Sequence, residues 1–241
     1  MDAYIDCAEP EWSRQLQTIE RKIPDFGSTL EEQVAERWKK ASVEAARPRF
    51  CSVSVSALAG DSPRIETEEA FEALPPKDRE GRYGGLFGST VHYAIGLMLR
   101  SSGMVPRNAV ERAAKLYGLA EHIEEAVADV IRGVNALKAA GLARLPAADL
   151  QLEYPVGGPW TDGQLVTGYI DLVAVTNSQI DVIDFKTDAP PSGPVEQTYP
   201  KYAAQVRIYG KLLETAGILK DRHLRCGLLF TADGNIRWIS G

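Results

Sequence analysis

The sequence predicts an α/β fold in which a mixed central sheet is flanked by helices. Two adjacent segments rich in Ile and Val, 168–175 and 180–187, are bounded by turn-forming residues and are typical of β-strands. Segments with helical periodicity, 87–100 and 199–216, come before and after them. At 241 residues the chain can bury a full core, so these observations together indicate one α/β domain with additional segments.

The chain is predicted to begin with a helical segment, residues 1–49, whose main helix covers 31–46 and starts at a capping-box pattern. A domain covering 50–241 follows, with a first strand at 50–56. Residues 60–85 are rich in Pro, Gly and charged residues, and this composition predicts a flexible linker.

Within this domain we predict a helical part, 86–143, followed by a sheet and helix, 148–241. The extra helices of the first part are predicted at 107–117 and 120–140. The other predicted strands lie at 149–156, 224–231 and 235–239.

The two central strands predict a cluster of charged side chains. If Asn177 and Ser178 form a two-residue hairpin loop, Asp171 lies opposite Asp184, and Tyr169 lies opposite Lys186. Paired side chains of this kind have Cβ atoms about 4.5–5.5 Å apart. The register therefore brings two carboxylates and an amine to one face at the end of the hairpin.

Such a cluster has two interpretations. Two close, partly buried carboxylates repel each other, and a divalent cation would neutralise them; oxygen ligands of this type suit Mg²⁺ or Mn²⁺. A salt bridge of Asp171 or Asp184 with Lys186 at a strand end is the simpler alternative.

Composition excludes several classes of protein. The three cysteines, at 7, 51 and 226, are too few for a four-cysteine iron–sulfur or zinc site. We find no Gly-x-x-x-x-Gly-Lys-Ser/Thr motif for a nucleotide, no signal peptide and no apolar run that could cross a membrane. These features indicate a cytoplasmic protein. The net charge of -6 is untypical of a nucleic-acid-binding protein.

Three motifs carry a resemblance to a known family. Gly-Tyr-Ile-Asp171, Ile-Asp184-Phe-Lys186 and Gln205-x-x-x-Tyr209 resemble those of the PD-(D/E)XK nuclease superfamily. Within it, the chain is similar to the RecB-like nuclease domain at the C-terminal end of AddA- and RecB-type helicase–nucleases. The segment that ends at His92 is similar to the helix that carries the histidine of that family.

The resemblance implies an αβββαβ core, a metal-dependent deoxyribonuclease of exonuclease type, and a role in DNA repair and recombination. It implies Mg²⁺ or Mn²⁺ as cofactor, DNA as substrate and a helicase motor in another domain or chain. Asp171, Asp184 and Lys186 would be catalytic. The metal ligands would be His92, Asp171, Asp184 and the main-chain carbonyl of Phe185, with Gln205, Tyr209 and Glu153 supporting the site or binding DNA.

Alternatives remain open for several of these residues. His92 can be an ordinary core or surface histidine, Tyr209 a core residue, and Glu153 an exposed strand residue. For the whole chain, the alternative is a catalytically silent nuclease-like scaffold or DNA-binding module. A sequence-specific endonuclease on the same core and an unrelated metal-dependent hydrolase are less consistent with the motifs.

Overall fold

The computed structural model of the protein describes residues 28–45, 51–60, 82–101, 103–146 and 149–240. The chain divides into two units, 1–49 and 50–241, each considered by itself. In the first unit, helix α1 covers Ser28–Ala45. It begins three residues before the predicted start at 31, at Ser28 of the capping-box pattern. Most of the predicted linker, residues 61–81, lies outside the described residues.

The second unit is a sheet with helices on both faces. Its helices are α2 (Val55–Leu58), α3 (Gly84–Arg100), α4 (Pro106–Tyr117), α5 (Ile123–Ala139), α6 (Val195–Thr198) and α7 (Pro200–Thr215). Its strands are β1 (Cys51–Ser54), β2 (Leu150–Pro159), β3 (Gln164–Val175), β4 (Gln179–Lys186), β5 (His223–Phe230) and β6 (Asn235–Ile239). Short 3₁₀ turns cover Leu142–Arg144 and Thr161–Gly163.

The six strands form one mixed sheet in the order β1-β3-β4-β5-β6, with β2 paired to β3. Strand β2 runs antiparallel along most of β3, from Leu165 to Ala174. The other edge of β3 is therefore shared, with parallel β1 at its start and antiparallel β4 at its end. The order α3, β2, β3, β4, α7, β5 confirms the predicted αβββαβ core with additional helices.

Two apolar clusters pack on the two faces of this sheet. Buried side chains of α3, α4 and α5 pack on one face against Leu172, Ile183 and Phe185. Side chains of α7 pack on the other face against Ile170 and Val182. Because β4 has apolar residues on both faces, it is a central strand, as its sequence predicts.

Strand β1 is shorter than the predicted strand 50–56. It ends at Ser54, whose side-chain oxygen accepts a hydrogen bond from the N–H of Ala57 at 3.0 Å and so caps α2. Val55 therefore enters a helix and is buried there. Serine is a strong helix-capping residue, and its local hydrogen bond competes with continuation of the strand.

The predicted hairpin register is confirmed only next to the turn. The four pairs from Leu172–Ile183 to Val175–Ile180 are as predicted, and the N–H of Thr176 donates to the carbonyl of Gln179 at 2.8 Å. The predicted pairs Asp171–Asp184 and Tyr169–Lys186 are wrong, because the β3–β4 ladder ends at Leu172–Ile183. Within the described residues, no helix has the length and apolar character needed to cross a membrane.

Candidate active site

The site lies at a point where the apolar side chains of β2 and β3 change from one face of the sheet to the other. Leu152 and Leu172 pack in the α3–α5 cluster, whereas Tyr154 and Ile170 pack in the α7 cluster. Regular alternation would keep residues two apart on one face. The change coincides with Glu153, which has a left-handed φ of 52°, an uncommon conformation for a non-glycine residue. Asp171 is therefore at the junction between the two halves of β3.

Where the β3–β4 ladder ends, the Asp171 carboxylate accepts a hydrogen bond from the main chain of β4. Its Oδ2 accepts the main-chain N–H of Phe185 at 2.6 Å, and its Oδ1 lies 3.2 Å from Nδ1 of His92. The contact with a backbone N–H explains why β3 and β4 separate here, because a side chain instead of a β3 carbonyl satisfies this donor. Asp171 thus lies beside Phe185 and His92 rather than directly opposite Asp184.

His92 reaches Asp171 from α3, which lies against the sheet. Its ring meets the edge of the Phe185 ring at a centroid distance of 5.5 Å. A Cβ placed on Gly88 would lie 3.4 Å from Oγ1 of Thr187, so α3 approaches the end of β4 closely at this point. Near Gly96 the described residues leave more room. The predicted meeting of the histidine helix with the acidic residues is therefore present.

Asp184 and Lys186 form the other half of the site. Both are buried, and Nζ of Lys186 lies 2.8 Å from Oδ2 of Asp184. The same Nζ donates to Oε1 of Gln205 at 3.0 Å, and Nε2 of Gln205 donates to the Tyr209 hydroxyl at 3.1 Å. The spacing of Gln205 and Tyr209 by one helical turn on α7 permits this chain of contacts.

Tyr202 is a further member of this cluster, and it is not among the site residues predicted from the sequence. Its ring centroid lies 4.0 Å from Nζ of Lys186, and its hydroxyl donates to Asp188 at 2.9 Å. A cation over an aromatic ring is electrostatically stabilised. Its position three residues before Gln205 is a sequence signal for this role, since such residues share a helix face.

The two carboxylates differ in electrostatic environment. Burial alone would raise the pKa of Asp171, but the charge of His92 and the contacts with His92 and Phe185 hold it below its ordinary value. Burial raises the pKa of Asp184, and the charge of Asp171 acts in the same direction against the opposing effect of Lys186. Although burial would lower the pKa of His92, Asp171 raises it above its ordinary value.

Glu153 borders a small cleft on the α3 side of Asp171. The cleft is also lined by His92, Arg100 and Phe185. Burial and the nearby Asp171 raise the pKa of Glu153, whereas His92 and Arg100 act against this rise. The structure places Glu153 beside the site, as the sequence analysis expects of a supporting residue, and its role stays a prediction.

The oxygen and nitrogen atoms of the site can be compared with the ligands that a divalent metal ion prefers. Asp171, Asp184 and the main chain of Phe185 supply oxygen donors and His92 supplies a nitrogen, which is suitable chemistry for Mg²⁺ or Mn²⁺. Oδ2 of Asp184 is buried, and its partner is the ammonium group of Lys186 at 2.8 Å. Within the described residues, no three His, Cys, Asp or Glu side chains are arranged to hold an ion. The residue types therefore fit a metal ion in their chemistry, whereas a complete ligand shell is not formed.

A buried network outside the predicted site residues connects α3 to the sheet. Asp129 of α5 is fully buried and accepts hydrogen bonds from Arg82 at 2.6 and 3.0 Å and from the hydroxyl of Thr231 at 2.8 Å. Arg132 also contacts Asp129. The N–H of Thr231 donates to the carbonyl of Lys186 at 2.9 Å. The network thus links Arg82, two residues before α3, to the main chain of Lys186.

Comparison with known proteins assigns the chain to a family. No curated protein matches the chain. Solved structures do match, among them one titled "Crystal structure of SSO0001", with 14% identity over 64% of this chain and 76% of that chain and a TM-score of 0.30. Residues 72–235 match the PD-(D/E)XK nuclease superfamily, whose members are generally nucleases and typically use divalent metal ions. Because this match covers more than half of the sequence, the chain belongs to the PD-(D/E)XK nuclease superfamily.

Proposed function

We propose that the protein is a metal-dependent deoxyribonuclease that hydrolyses phosphodiester bonds of DNA from an end. Membership of the superfamily implies a nuclease with a DNA substrate. The observation that carries the proposal is the convergence of Asp171, Asp184, Lys186 and His92 where β3 and β4 separate. Asp184 and Lys186 are buried together, and Asp171 and His92 line a cleft; perturbed ionisable groups of this kind cluster at functional sites.

We assign to Lys186 the role of orienting the water molecule that attacks the phosphate. Its ammonium group is held by Asp184 and Gln205 and covered by the ring of Tyr202. A fixed amine at this place can orient the water and stabilise negative charge that develops on the phosphate. Gln205 and Tyr209 hold the lysine in position from α7, and burial keeps the Tyr209 hydroxyl protonated by raising its pKa.

The carboxylates and the imidazole have a different role. Asp171, Asp184, His92 and the carbonyl of Phe185 would hold Mg²⁺ or Mn²⁺. Such an ion polarises a phosphoryl oxygen and lowers the pKa of bound water. In the structure each carboxylate contacts one cationic or potentially cationic side chain, Asp171 with His92 and Asp184 with Lys186. These contacts hold Asp171 at the junction of the two halves of β3 and Asp184 near the end of β4.

The cellular setting that we propose is that of a RecB-like module in the cytoplasm that acts in DNA repair or recombination. The Gln205-x-x-x-Tyr209 helix and the helix that carries His92 favour the exonuclease branch over sequence-specific endonucleases. A helicase motor in another domain or chain would feed one strand to the site. Support for this setting comes only from the resemblance of these motifs.

The experiment is cleavage of labelled DNA by the wild type, Asp184→Asn and Lys186→Met, with Mg²⁺, Mn²⁺ or EDTA. Substrates are a linear single strand, a linear duplex and a circular single strand. We expect metal-dependent release of nucleotides from linear DNA only, and a loss of about 100-fold or more in each variant, as for removal of a general acid–base group. Asp233→Asn removes a surface carboxylate and serves as the matched control.

Two results would contradict the proposed catalysis, and a third would contradict the action from an end. Full activity of a folded Lys186→Met variant would remove Lys186 from the mechanism. Wild-type protein that binds DNA but does not cleave it with either metal would support the alternative function, a nuclease-like scaffold or DNA-binding module. Cleavage of the circular strand would keep the nuclease and exclude an exonuclease that needs an end.

A further inference from the structure

One face of the sheet next to the site is not covered by any helix in the described part of the chain. This face lies where the first half of β3, before Asp171, pairs with β1 and β2. The residues of these strands that point away from the α7 cluster are all exposed. Register places them side by side on one surface, which we call the open sheet face. Its residues are Ser52, Ser54, Pro155, Gly157, Pro159, Leu165, Thr167 and Tyr169.

The opposite face of the same strands is buried. Val166 and Ile170 pack in the α7 cluster, and a Cβ on Gly168 would lie 3.0 Å from both Tyr209 and Val55. The change of face at Glu153 puts the odd-numbered residues of β3, up to Tyr169, on the side where α3–α5 cover the other half of the sheet. The open sheet face is therefore continuous with the cleft that contains Asp171 and His92.

Tyr169 is the most exposed large apolar residue of this face, with 65% of its surface accessible. It precedes Asp171 by two residues on the same strand, a separation of about 7 Å at the usual rise per residue. Its cross-strand neighbour Pro155 is also exposed, and the β3–β4 ladder does not extend to it. An aromatic ring fixed on a strand beside the site is a rigid and accessible stacking surface.

The chemistry of the face favours one kind of occupant. None of its eight residues is charged, so these residues carry no carboxylate that would repel phosphate, in a chain whose net charge is -6. Proteins that bind single strands combine aromatic stacking with basic grooves. Here the face offers an aromatic ring, hydroxyl groups and apolar surface, without the basic groove.

We propose that Tyr169 is a substrate-binding residue, on whose ring a base of a single DNA strand stacks next to the phosphate that enters the site. The inference rests on the proposed function and specifies its substrate as an unpaired strand. It also accounts for the acidic composition, because stacking and hydrogen bonds then supply most of the affinity. The dependence of binding on salt should accordingly be shallow compared with proteins that make many phosphate contacts.

The test measures binding without cleavage. Fluorescence anisotropy of a labelled oligothymidylate is recorded in EDTA for wild type, Tyr169→Ala and Tyr169→Phe. Loss of stacking on one base corresponds to about a 5- to 150-fold increase in Kd for Tyr169→Ala, and Tyr169→Phe should bind as the wild type does. Leu116→Ala, which truncates another exposed apolar side chain at 62% accessibility, is the control.

An abasic oligonucleotide of the same length separates base stacking from backbone contact. We expect wild type and Tyr169→Ala to bind it equally. Equal binding of oligothymidylate by wild type and Tyr169→Ala would overturn the inference, even if the protein degrades DNA as proposed. A change of oligomeric state in Tyr169→Ala, measured by light scattering, without a change in Kd would overturn it in favour of a second copy of the chain on this face.

Discussion

The Asp129 network offers a quantitative test of how the unit is held together. We consider Asp129→Asn, which preserves the shape of the side chain and removes its charge. Asp129 is fully buried and accepts hydrogen bonds from Arg82 and Thr231, with Arg132 as a further ion-pair partner. Hydrogen bonds to charged groups contribute about 1.5–3 kcal/mol each. Breaking a buried pair costs about 3–5 kcal/mol.

The exposure of the partners places the expected loss at the lower end of that range. The side chains of Arg82 and Arg132 are 22% and 37% exposed, so water can solvate them when the carboxylate is lost. Thr231 is fully buried but retains a contact of its hydroxyl with the carbonyl of Lys186 at 3.3 Å. We therefore expect Asp129→Asn to lower the free energy of unfolding by about 3 kcal/mol.

The assay is thermal and urea unfolding followed by circular dichroism. For a domain of this size, about 3 kcal/mol corresponds to a decrease in Tm of about 6–12 °C. Asp233→Asn is the control, because Asp233 and Arg237 are about a quarter exposed and such pairs contribute about 1 kcal/mol or less. If Asp129→Asn is no more destabilised than Asp233→Asn, the network does not anchor α3 to the sheet.

Three further predictions concern individual residues. Gly168→Ala should lower the free energy of unfolding by about 1–3 kcal/mol, because its Cβ would meet Tyr209 and Val55 at 3.0 Å; urea unfolding measures this, and an unchanged midpoint contradicts it. Burial raises the pKa of Cys226 to about 11. At pH 8 its labelling by iodoacetamide, measured by mass spectrometry, should therefore be far slower than that of exposed Cys51. Equal labelling rates would contradict the burial of the Cys226 thiol. Although partial burial opposes it, hydrogen bonds from Arg237 and Asn235 hold the pKa of Asp233 below its ordinary value. Asp233 therefore stabilises the fold above about pH 4, and this contribution is lost as pH falls through the lowered pKa. The difference in unfolding free energy between wild type and Asp233→Asn should shrink from pH 6 to about pH 2.5, and a difference that grows would contradict this.

Local patterns were sufficient to predict the hairpin and the helices around it. The two-residue loop Asn177–Ser178 and the Ile and Val residues beside it fix the register of the last four pairs. The helix that carries Gln205 and Tyr209 follows from apolar periodicity alone. These elements depend on residues close together in the sequence, which is the information that periodicity and turn chemistry contain.

The geometry of Asp171 could not be predicted in the same way. A regular hairpin would put Asp171 opposite Asp184, and a left-handed glutamate at position 153 is rare enough that no sequence rule indicates it. The contact of Arg82 with Asp129, 47 positions away, likewise depends on how α3 and α5 pack. Tyr202 was accessible to sequence reasoning, because it is one helical turn from Gln205, but the sequence did not show that its ring covers the lysine.

The interruption at Asp171 explains several properties of the site through one local feature. Asp171 accepts the N–H of Phe185 at the point where β4 leaves β3, after Ile183. Asp184 and Lys186 share the α7 side of β4 with Val182, and they have no strand partner on β3. Tyr169 lies on the other half of β3, on a face that no helix of the described residues covers. The carboxylate–backbone contact joins Asp171, two residues after Tyr169, to Phe185, the residue after Asp184. In this arrangement Asp171 is a structural residue as well as a candidate ligand, so replacing it should disturb the strand ends as well as the chemistry.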